Sequence, residues 1–237
     1  MEVVMSFQET IDSTESIRRD ANLKFLVYGP PGAGKTYMIR TLDGPALVGS
    51  CESGLASLVD VDVDFVELDT TDRLREMYKY LAGSDHNYQW AVLDSVSEMA
   101  EMCLSEMKSR HKDGRRAYGE MQETVIRLLR AFRSLDMSVY FSAKQRRDTV
   151  DGQMLYIPSM PGSKLSEKRP VGHDFDFVFP LIATEDEEGQ TQRQLITQST
   201  SEYQAKARDP QQVLDKFEDA DLGNIRQKYI NQYCEKE

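Results

Sequence analysis

The sequence predicts an α/β fold in which helices flank a mostly parallel sheet with an antiparallel extension at one edge. Short apolar runs bounded by turn residues alternate with segments of helical periodicity, which is typical of βαβ units and a parallel sheet. A turn rich in glycine and proline joins the first apolar run to the first helical segment. Two later apolar runs flank the acidic turn at residues 185–190 and indicate a pair of antiparallel strands.

Length and composition limit how the chain is organised. Its 237 residues suffice for one large α/β domain, which we assign to residues 24–237, whereas residues 1–23 are polar and aperiodic and are interpreted as an arm or linker. The longest apolar runs, such as residues 177–183, are too short to span a bilayer, and we see no secretion signal. The three cysteines show neither zinc spacing nor a disulfide framework, so we expect a cytoplasmic protein without a membrane partner.

Hydrophobic periodicity places each element along the chain. Strands are predicted at residues 24–29, 45–51, 63–68, 89–95, 138–143, 177–184 and 192–199. Helices are predicted from Lys35 to Leu42, at residues 71–82, 97–109 and 118–135, and from Pro210 onward. Residues 144–171 are rich in proline, glycine, arginine and lysine, so they are predicted to form a long loop with room for a hairpin.

The turn after the first strand carries a phosphate-binding motif, because Gly29, Gly34, Lys35 and Thr36 fit G-x-x-x-x-G-K-[ST]. Glycines let backbone N–H groups turn toward an anion, the lysine brings charge to the β- and γ-phosphates, and the threonine hydroxyl can bind Mg²⁺. The predicted nucleotide-binding residues are Gly29, Pro30, Pro31, Gly32, Ala33, Gly34, Lys35 and Thr36. The alternative is an ordinary glycine turn, which the preceding strand and following helix disfavour. We therefore expect ATP and Mg²⁺ as cofactors.

Hydrolysis also needs a carboxylate on the metal side and a group that positions water. Asp94 ends an apolar strand and is predicted to support Mg²⁺ together with Thr36; its alternative role is to cap the next turn. Ser95 follows it, where many related ATPases have a glutamate. Glu52 lies at the tip of the strand after the phosphate-binding motif, and neighbouring parallel strands would bring it to the same sheet edge as Asp94. Glu52 is therefore the predicted catalytic carboxylate, with a solvated loop glutamate as the alternative.

Taken together, these motifs resemble the RecA/RadA recombinase family, and more closely the small phage ATPases with a RecA core that act in single-strand annealing and recombination. The resemblance spans about residues 22–220 and rests on "GPPGAGKT", "ESGL", "VLDS", "SAKQRR" and "AKAR". It implies a RecA-like P-loop NTPase core, in which Gln145 ends its strand and senses the γ-phosphate. Lys144 departs from the asparagine frequent in the family, and we find no large N-terminal oligomerisation domain.

Two basic segments are candidates for contact with single-stranded DNA, because the resemblance places the DNA-binding loops of the family there. Each combines cationic side chains with a tyrosine, Tyr118 or Tyr156, which suits phosphate contacts and base stacking. The candidates are Lys108, Arg110, Lys112, Arg115 and Arg116 in the first segment, and Arg146, Arg147 and Lys164 in the second. The alternatives are a solvated helix connection and a nucleotide-responsive loop. The net charge of −11 requires any basic footprint to be local.

The resemblance also implies an assembly. Basic residues near Lys206 and Arg208 reach the γ-phosphate of an adjacent subunit in the family, so both are candidate contacts in trans; exposed strand-end charges are the alternative. The implied function is a Mg²⁺-dependent, DNA-stimulated ATPase that binds single-stranded DNA as a filament or ring in phage-type homologous recombination or strand annealing. The host cytoplasm would be its location and a phage single-strand-binding protein a further partner. A helicase or helicase-loader ATPase and an ATP-gated protein-interaction module without DNA are the alternatives.

Overall fold

A central sheet organises the molecule, and it contains ten strands in the part of the chain that the structure describes. This structure is a computed structural model that describes residues 22–52, 54–83, 85–161, 171–185 and 188–234. The strands are β1 (Lys24–Gly29), β2 (Ala46–Ser50), β3 (Asp64–Glu67), β4 (Trp90–Asp94), β5 (Ser138–Val150), β6 (Gln153–Pro158), β7 (Phe177–Glu185), β8 (Thr191–Ile196), β9 (Lys206–Ala207) and β10 (Phe217–Asp219).

Helices cover both faces of this sheet. The α-helices in the described ranges are α1 (Thr71–Leu81), α2 (Val96–Arg110), α3 (Gly114–Arg133) and α4 (Leu222–Tyr233). Short 3-10 helices lie at Tyr37–Thr41, Leu55–Leu58 and Val171–Asp174. Side chains alternate along β1, so that Leu26 and Tyr28 pack with α1, α2 and α3, whereas Phe25 and Val27 pack with α4 and the first 3-10 helix. The protein therefore has one apolar layer on each side of the sheet.

The strand order explains where a ligand can bind. Six strands run parallel in the order β7-β1-β5-β4-β2-β3. Antiparallel strands β8 and β10 extend the β7 side, β9 also pairs with β7, and β6 folds back on β5. The predicted α/β fold, with a mostly parallel sheet and an antiparallel edge, is confirmed. Because Ser50 of β2 pairs with Asp94 of β4, these two strands end at the same level.

The helix after the phosphate-binding motif is shorter than the sequence predicts. Only Tyr37–Thr41 is helical, as a 3-10 turn, and Leu42 is already extended with a ψ of 135°. The sequence Asp-Gly-Pro at residues 43–45 explains this early end, because proline cannot continue a helix and favours an extended residue before it. The chain consequently enters β2 almost directly after this turn.

The segment after residue 143, predicted to be a long loop with room for a hairpin, begins as a long hairpin. β5 continues to Val150 and pairs with β6 over residues 145–158. Asp151 and Gly152 connect the strands with φ values of 49° and 82°, which suit a two-residue hairpin turn. Composition alone was a poor guide to this segment, because β-branched residues such as threonine favour a strand even beside charged neighbours. Residues 162–170, which include Lys164, lie outside the described part of the chain.

The chain ends differ from their predictions as well. The stretch from Pro210, predicted to be helical, contains β10 before α4, because Phe217–Asp219 add to the free edge of β8. The predicted arm lies outside the described residues except for Asn22 and Leu23. Leu23 is buried and its carbonyl accepts a hydrogen bond from the Val139 N–H at 2.9 Å. Within the described ranges, every helix is too short or too polar to cross a membrane.

A buried tryptophan, Trp90, contacts α4 at the amino end of β4. Trp90 begins β4, is 0% exposed, and packs 5.7 Å from the Phe25 ring between centroids. Its Nε1–H donates to Asp43 at 2.9 Å, and Arg226 of α4 lies over the ring at 5.8 Å and forms an ion pair with the same aspartate. This cluster lies at the amino end of β4, whereas Asp94 lies at its carboxyl end.

Candidate active site

A cavity of about 360 Å³ opens at the carboxyl ends of the parallel strands. Its lining consists of Pro31, Gly32, Gly34, Lys35, Thr36, Tyr37, Glu52, Ser57, Asp94, Ser95, Lys144 and Arg193. The structure thus brings together Lys35, Thr36, Glu52 and Asp94, four of the residues singled out from the sequence. They come from the loops or ends of three strands, β1, β2 and β4, as expected for a ligand site at this edge of an α/β sheet.

The phosphate-binding motif forms a loop whose conformation needs glycine. Gly32 and Gly34 have φ values of 79° and 104°, which a residue with a Cβ atom rarely adopts. Lys35 Nζ donates to two carbonyls of its own loop, Gly29 at 3.0 Å and Pro30 at 2.9 Å. Burial lowers the pKa of Lys35, and neighbouring carboxylates act in the opposite direction. A cation held inside a loop of this conformation fits a polyphosphate.

Thr36 and Asp94 form the predicted metal side of the cavity. The Thr36 hydroxyl donates to Asp94 Oδ2 at 2.7 Å, and Ser142 of β5 donates to Oδ1 of the same carboxylate, which is 5% exposed. In the described ranges, no group of three or more His, Cys, Asp or Glu side chains could hold a metal ion. A hydroxyl and one carboxylate nevertheless fit Mg²⁺, because this ion keeps several waters and takes further oxygens from substrate phosphates.

Glu52 belongs to a small charged network on the other side of the cavity. The Ser95 hydroxyl donates to Glu52 Oε1 at 2.8 Å, and Lys144 Nζ lies 3.7 Å from the same oxygen. Lys144 also forms an ion pair with Glu98 of α2, and this hydrogen bond raises the pKa of the lysine. The side chains of Glu52 and Lys144 are 42% and 45% exposed, so solvent screens both charges.

The sequence placed Gln145 in the γ-phosphate role, but the structure does not bring it to the cavity. Successive side chains of β5 alternate between faces, so Ser142 and Lys144 point toward Asp94 and Glu52, and Gln145 points away. Gln145 pairs with Pro158 of the hairpin, and its buried Oε1 atom has no hydrogen-bond partner among the residues that the structure describes. The preceding residue, Lys144, lines the cavity instead, and the γ-phosphate role of Gln145 stays a prediction.

Lys206 and Arg208, the candidate contacts in trans, bind the body of their own chain. Lys206 Nζ donates to three carbonyls between residues 172 and 175, at 2.7–3.1 Å. Arg208 forms an ion pair with Asp176 at 2.9 Å and donates to the His173 carbonyl at 3.0 Å. Both side chains thereby fix β9 to the segment before β7, and neither lines the cavity.

The first basic segment lies at the connection between α2 and α3, as predicted. Lys108 and Arg110 end α2, and Arg115 and Arg116 begin α3. Arg116 pairs with Glu120 at 3.2 Å, and Arg110 with Glu106 at 3.6 Å; both are helical pairs of low strength. Lys112, between the helices, is exposed.

The second basic segment lies on the β5–β6 hairpin. Arg147 stacks over Tyr156 with 5.0 Å from its Cζ to the ring centroid, and Tyr156 stacks on Tyr203. Arg146 lines a groove of about 190 Å³ between the hairpin and helices α2 and α3. The groove is lined by Ser97, Glu98, Ala100, Glu101, Leu104, Tyr118, Met121, Lys144, Arg146, Ser159, Met160 and Pro161. Lys144 therefore borders both this groove and the cavity at Lys35.

Several residues of the cavity were missed from the sequence. Lys144 could have been found by extending the alternation of the predicted strand past Ala143, and Ser142, which lies inside that strand, reaches the cavity through its hydrogen bond to Asp94. Arg193 of β8 donates to the Ala33 carbonyl at 3.2 Å, but no local motif marks this residue, since antiparallel strand pairing brings it to the loop. Tyr140 does not line the cavity but supports the phosphate-binding loop, because its hydroxyl donates to the Lys35 carbonyl at 2.8 Å.

Comparison with known families agrees with this geometry. A family model described as an AAA domain matches residues 21–208, which include the phosphate-binding loop, Glu52, Asp94 and the hairpin. The chain belongs to the AAA domain family. This assignment makes the protein an AAA-type P-loop ATPase in general terms, and it supports the interpretation of the cavity as a nucleotide site. A search of curated proteins found no match to the chain.

Proposed function

We propose that this AAA domain is a Mg²⁺-dependent ATPase that binds single-stranded DNA in phage-type homologous recombination or strand annealing. The observation that carries the ATPase part is the convergence of Lys35, Thr36, Glu52 and Asp94 in one cavity. The DNA part rests on the two basic segments and on the resemblance to small phage ATPases with a RecA core. In this proposal the chain assembles as a homo-oligomer, and a phage single-strand-binding protein is its partner.

Each residue of the cavity has a separate task in this proposal. The loop at residues 29–36 holds the triphosphate, and Thr36 and Asp94 support Mg²⁺, which supplies charge neutralisation on the phosphates when it is bound. Glu52 orients the attacking water and accepts its proton. The hydroxyl of Ser95 holds Oε1 of Glu52 in position for this task. Lys35 moves from its own loop carbonyls to the phosphate oxygens.

The groove beside the cavity supports contact with single-stranded DNA. Tyr118 and Arg146, from the first and second basic segments, line the same groove. Arg147 and Tyr156 form a stacked pair on the same hairpin. Cations interleaved with aromatic rings suit a single strand, whose phosphates need charge and whose bases need a flat surface. Glu98 lines the same groove and is paired with Lys144.

Lys144 is the proposed link between nucleotide and DNA. It borders the cavity and the groove, and its ammonium group is shared between Glu98 and Glu52. A γ-phosphate in the cavity competes with Glu52 for this cation, and a movement of Lys144 changes the groove wall. Gln145 has this coupling role in the resembling family, and a shift of β5 would be needed to bring it to the cavity.

The first experiment is steady-state ATP hydrolysis with Mg²⁺, with and without single-stranded DNA, at low and then higher salt. We expect DNA to stimulate hydrolysis at low salt and the stimulation to weaken as salt rises, because phosphate contacts release counterions. Glu52→Gln should abolish hydrolysis while ATP still binds. A Lys108→Ala/Lys112→Ala variant should lose DNA stimulation but keep basal hydrolysis, whereas Lys79→Ala, an exposed lysine on α1, is the matched control.

One observation favours a second candidate, an ATP-gated protein-interaction module without DNA. The net charge is −11, and Glu98 and Glu101 both line the groove. Hydrolysis that ignores DNA at every salt concentration would contradict the DNA proposal and support this module. Hydrolysis that persists in Glu52→Gln would contradict the catalytic assignment in either case.

A further inference from the structure

The groove between the hairpin and helices α2 and α3 has walls of opposite charge. Its hairpin side carries the cations Lys144 and Arg146 of β5, and its α2 side carries the carboxylates Glu98 and Glu101. A phosphodiester backbone is attracted to the first wall and repelled by the second. A single strand in the groove therefore runs along the hairpin and turns the edges of its bases toward α2.

Hydrogen bonds tie α2 to the hairpin around this groove. The Ser97 hydroxyl of α2 donates to the Ser159 carbonyl at 2.7 Å and accepts from the Lys144 N–H at 2.8 Å. The Ser159 N–H donates in turn to the Lys144 carbonyl at 2.7 Å. These bonds fix the distance between the two walls, and a site with a fixed shape loses less free energy to ordering when it binds a ligand.

The floor of the groove is apolar, and an aromatic ring lies beside it. Ala100, Met121 and Met160 line the groove, and none of them is more than 8% exposed. Tyr118 of α3 lies about one helical turn before Met121 and is 50% exposed. An apolar floor and an accessible ring suit the flat faces of one nucleobase, which gains free energy by stacking.

The two carboxylates of the α2 wall differ in their partners. The charge of Glu98 is offset by the ion pair with Lys144. Glu101 follows about one helical turn later, and its exposed side chain forms neither a hydrogen bond nor an ion pair within the described ranges. The carboxylate oxygens of Glu101 are therefore available as acceptors for a ligand in the groove.

We propose that the groove takes one base of a single DNA strand and that Glu101 selects bases with an exocyclic amino group. The inference rests on the proposed binding of single-stranded DNA and adds a base preference to it. The amino group of cytosine or adenine donates to a carboxylate oxygen, whereas uracil and thymine present a carbonyl oxygen in its place. Two acceptors that face each other lose hydrogen bonds to water and gain none, which disfavours uracil and thymine.

Fluorescence anisotropy with labelled oligo(dC) and oligo(dU) of equal length tests this preference. The two bases differ only in the exchange of the amino group for a carbonyl and in the ring proton that accompanies it. With Mg²⁺ and a non-hydrolysable ATP analogue, at low salt and slightly alkaline pH, the wild-type protein should bind oligo(dC) about tenfold more tightly. Glu101→Ala should bring the ratio of the two affinities close to one.

Two further variants separate base selection from charge and from stacking. Glu76→Ala removes an exposed carboxylate of α1 outside the groove, and it should leave the ratio of affinities as in the wild type. Tyr118→Ala should weaken the binding of both oligonucleotides by similar factors, because a tyrosine ring stacks on either base. The ratio, rather than either affinity, therefore reports the contact of Glu101 with the base.

Each outcome decides a different part of the inference. Tight but equal binding of both oligonucleotides to the wild-type protein overturns the base preference and leaves the proposed DNA binding intact. A preference for oligo(dC) that persists in Glu101→Ala overturns the role of Glu101. Failure of the wild-type protein to bind either oligonucleotide overturns the proposed DNA function itself, and the base preference with it.

Discussion

The two halves of the candidate active site are held in different ways. On the phosphate side, Lys35, Thr36 and Asp94 are buried or half-buried, and hydrogen bonds to loop carbonyls and to Ser142 hold them. On the other side, which carries the proposed catalytic Glu52, the side chains of Glu52 and Lys144 are more than two-fifths exposed. Lys144 forms ion pairs with both Glu52 and Glu98.

This difference indicates which half can rearrange. Breaking a buried hydrogen bond costs free energy, because its donor and acceptor are left without a partner. Ion pairs of exposed side chains are screened by solvent and exchange partners at little free-energy cost. The phosphate side is therefore prepared for its ligand in advance. The side with Glu52 and Lys144 can change its ion-pair partners, as the proposed coupling between the cavity and the groove requires.

Lys35→Ala should have the largest effect, because it removes the cation from the side of the cavity that is formed by the phosphate-binding loop. We expect nucleotide affinity and hydrolysis to fall at least about 100-fold, as for the loss of a charged contact to a reacting group. Titration with a fluorescent ATP analogue measures the binding. Lys79→Ala is the control, and unchanged affinity in Lys35→Ala would contradict the assignment of this cavity.

Asp94→Asn should raise the Mg²⁺ concentration required for hydrolysis more than it weakens the binding of ATP. The amide keeps the shape but removes the charge that supports Mg²⁺, so the Mg²⁺ concentration for half-maximal hydrolysis should rise about 10–100-fold. Hydrolysis measured across a Mg²⁺ series gives this value, and chelation of the metal should stop the wild-type reaction. An identical Mg²⁺ dependence in both proteins would remove Asp94 from the metal side.

Lys144→Met and Gln145→Ala compare adjacent residues on opposite faces of β5. We expect about a tenfold loss of DNA-stimulated hydrolysis in Lys144→Met, equal to about 1.4 kcal/mol of activation free energy, and a smaller loss in Gln145→Ala. Lys144→Arg should restore most of the rate. The reverse order of effects would return the coupling role to Gln145, with β5 shifting when nucleotide binds.

Lys206→Met should have the smallest effect on catalysis. It removes one donor from each of three carbonyls between residues 172 and 175, of which His173 keeps Arg208, and should lower the free energy of unfolding by about 1–3 kcal/mol. Denaturant titration measures this loss, while hydrolysis per folded molecule should stay near wild type. A large loss of hydrolysis with unchanged stability would instead support the contact in trans.

The sequence predicted those features that depend on nearby residues. The phosphate-binding loop follows from the glycines around Lys35, and Asp94 and Glu52 follow from strand ends that proved to be neighbours. Gln145 was expected at a strand end facing the cavity, but β5 continues through it into the hairpin and the residue lies on the other face. Arg193 was missed because β8 reaches the loop only through pairing with β7, and β10 was missed because the edge of β8 stabilises a strand that has little pattern of its own.

Trp90 makes this protein convenient to study by fluorescence. It is the single tryptophan of the chain, and its indole is shielded from water at the amino end of β4. Asp94 lies four residues further along the extended strand, about 13 Å away. Its emission should therefore report global unfolding and stay largely silent when ligands fill the cavities. Stability of every variant can be followed through this intrinsic probe without a label, and binding can be followed separately with a fluorescent nucleotide.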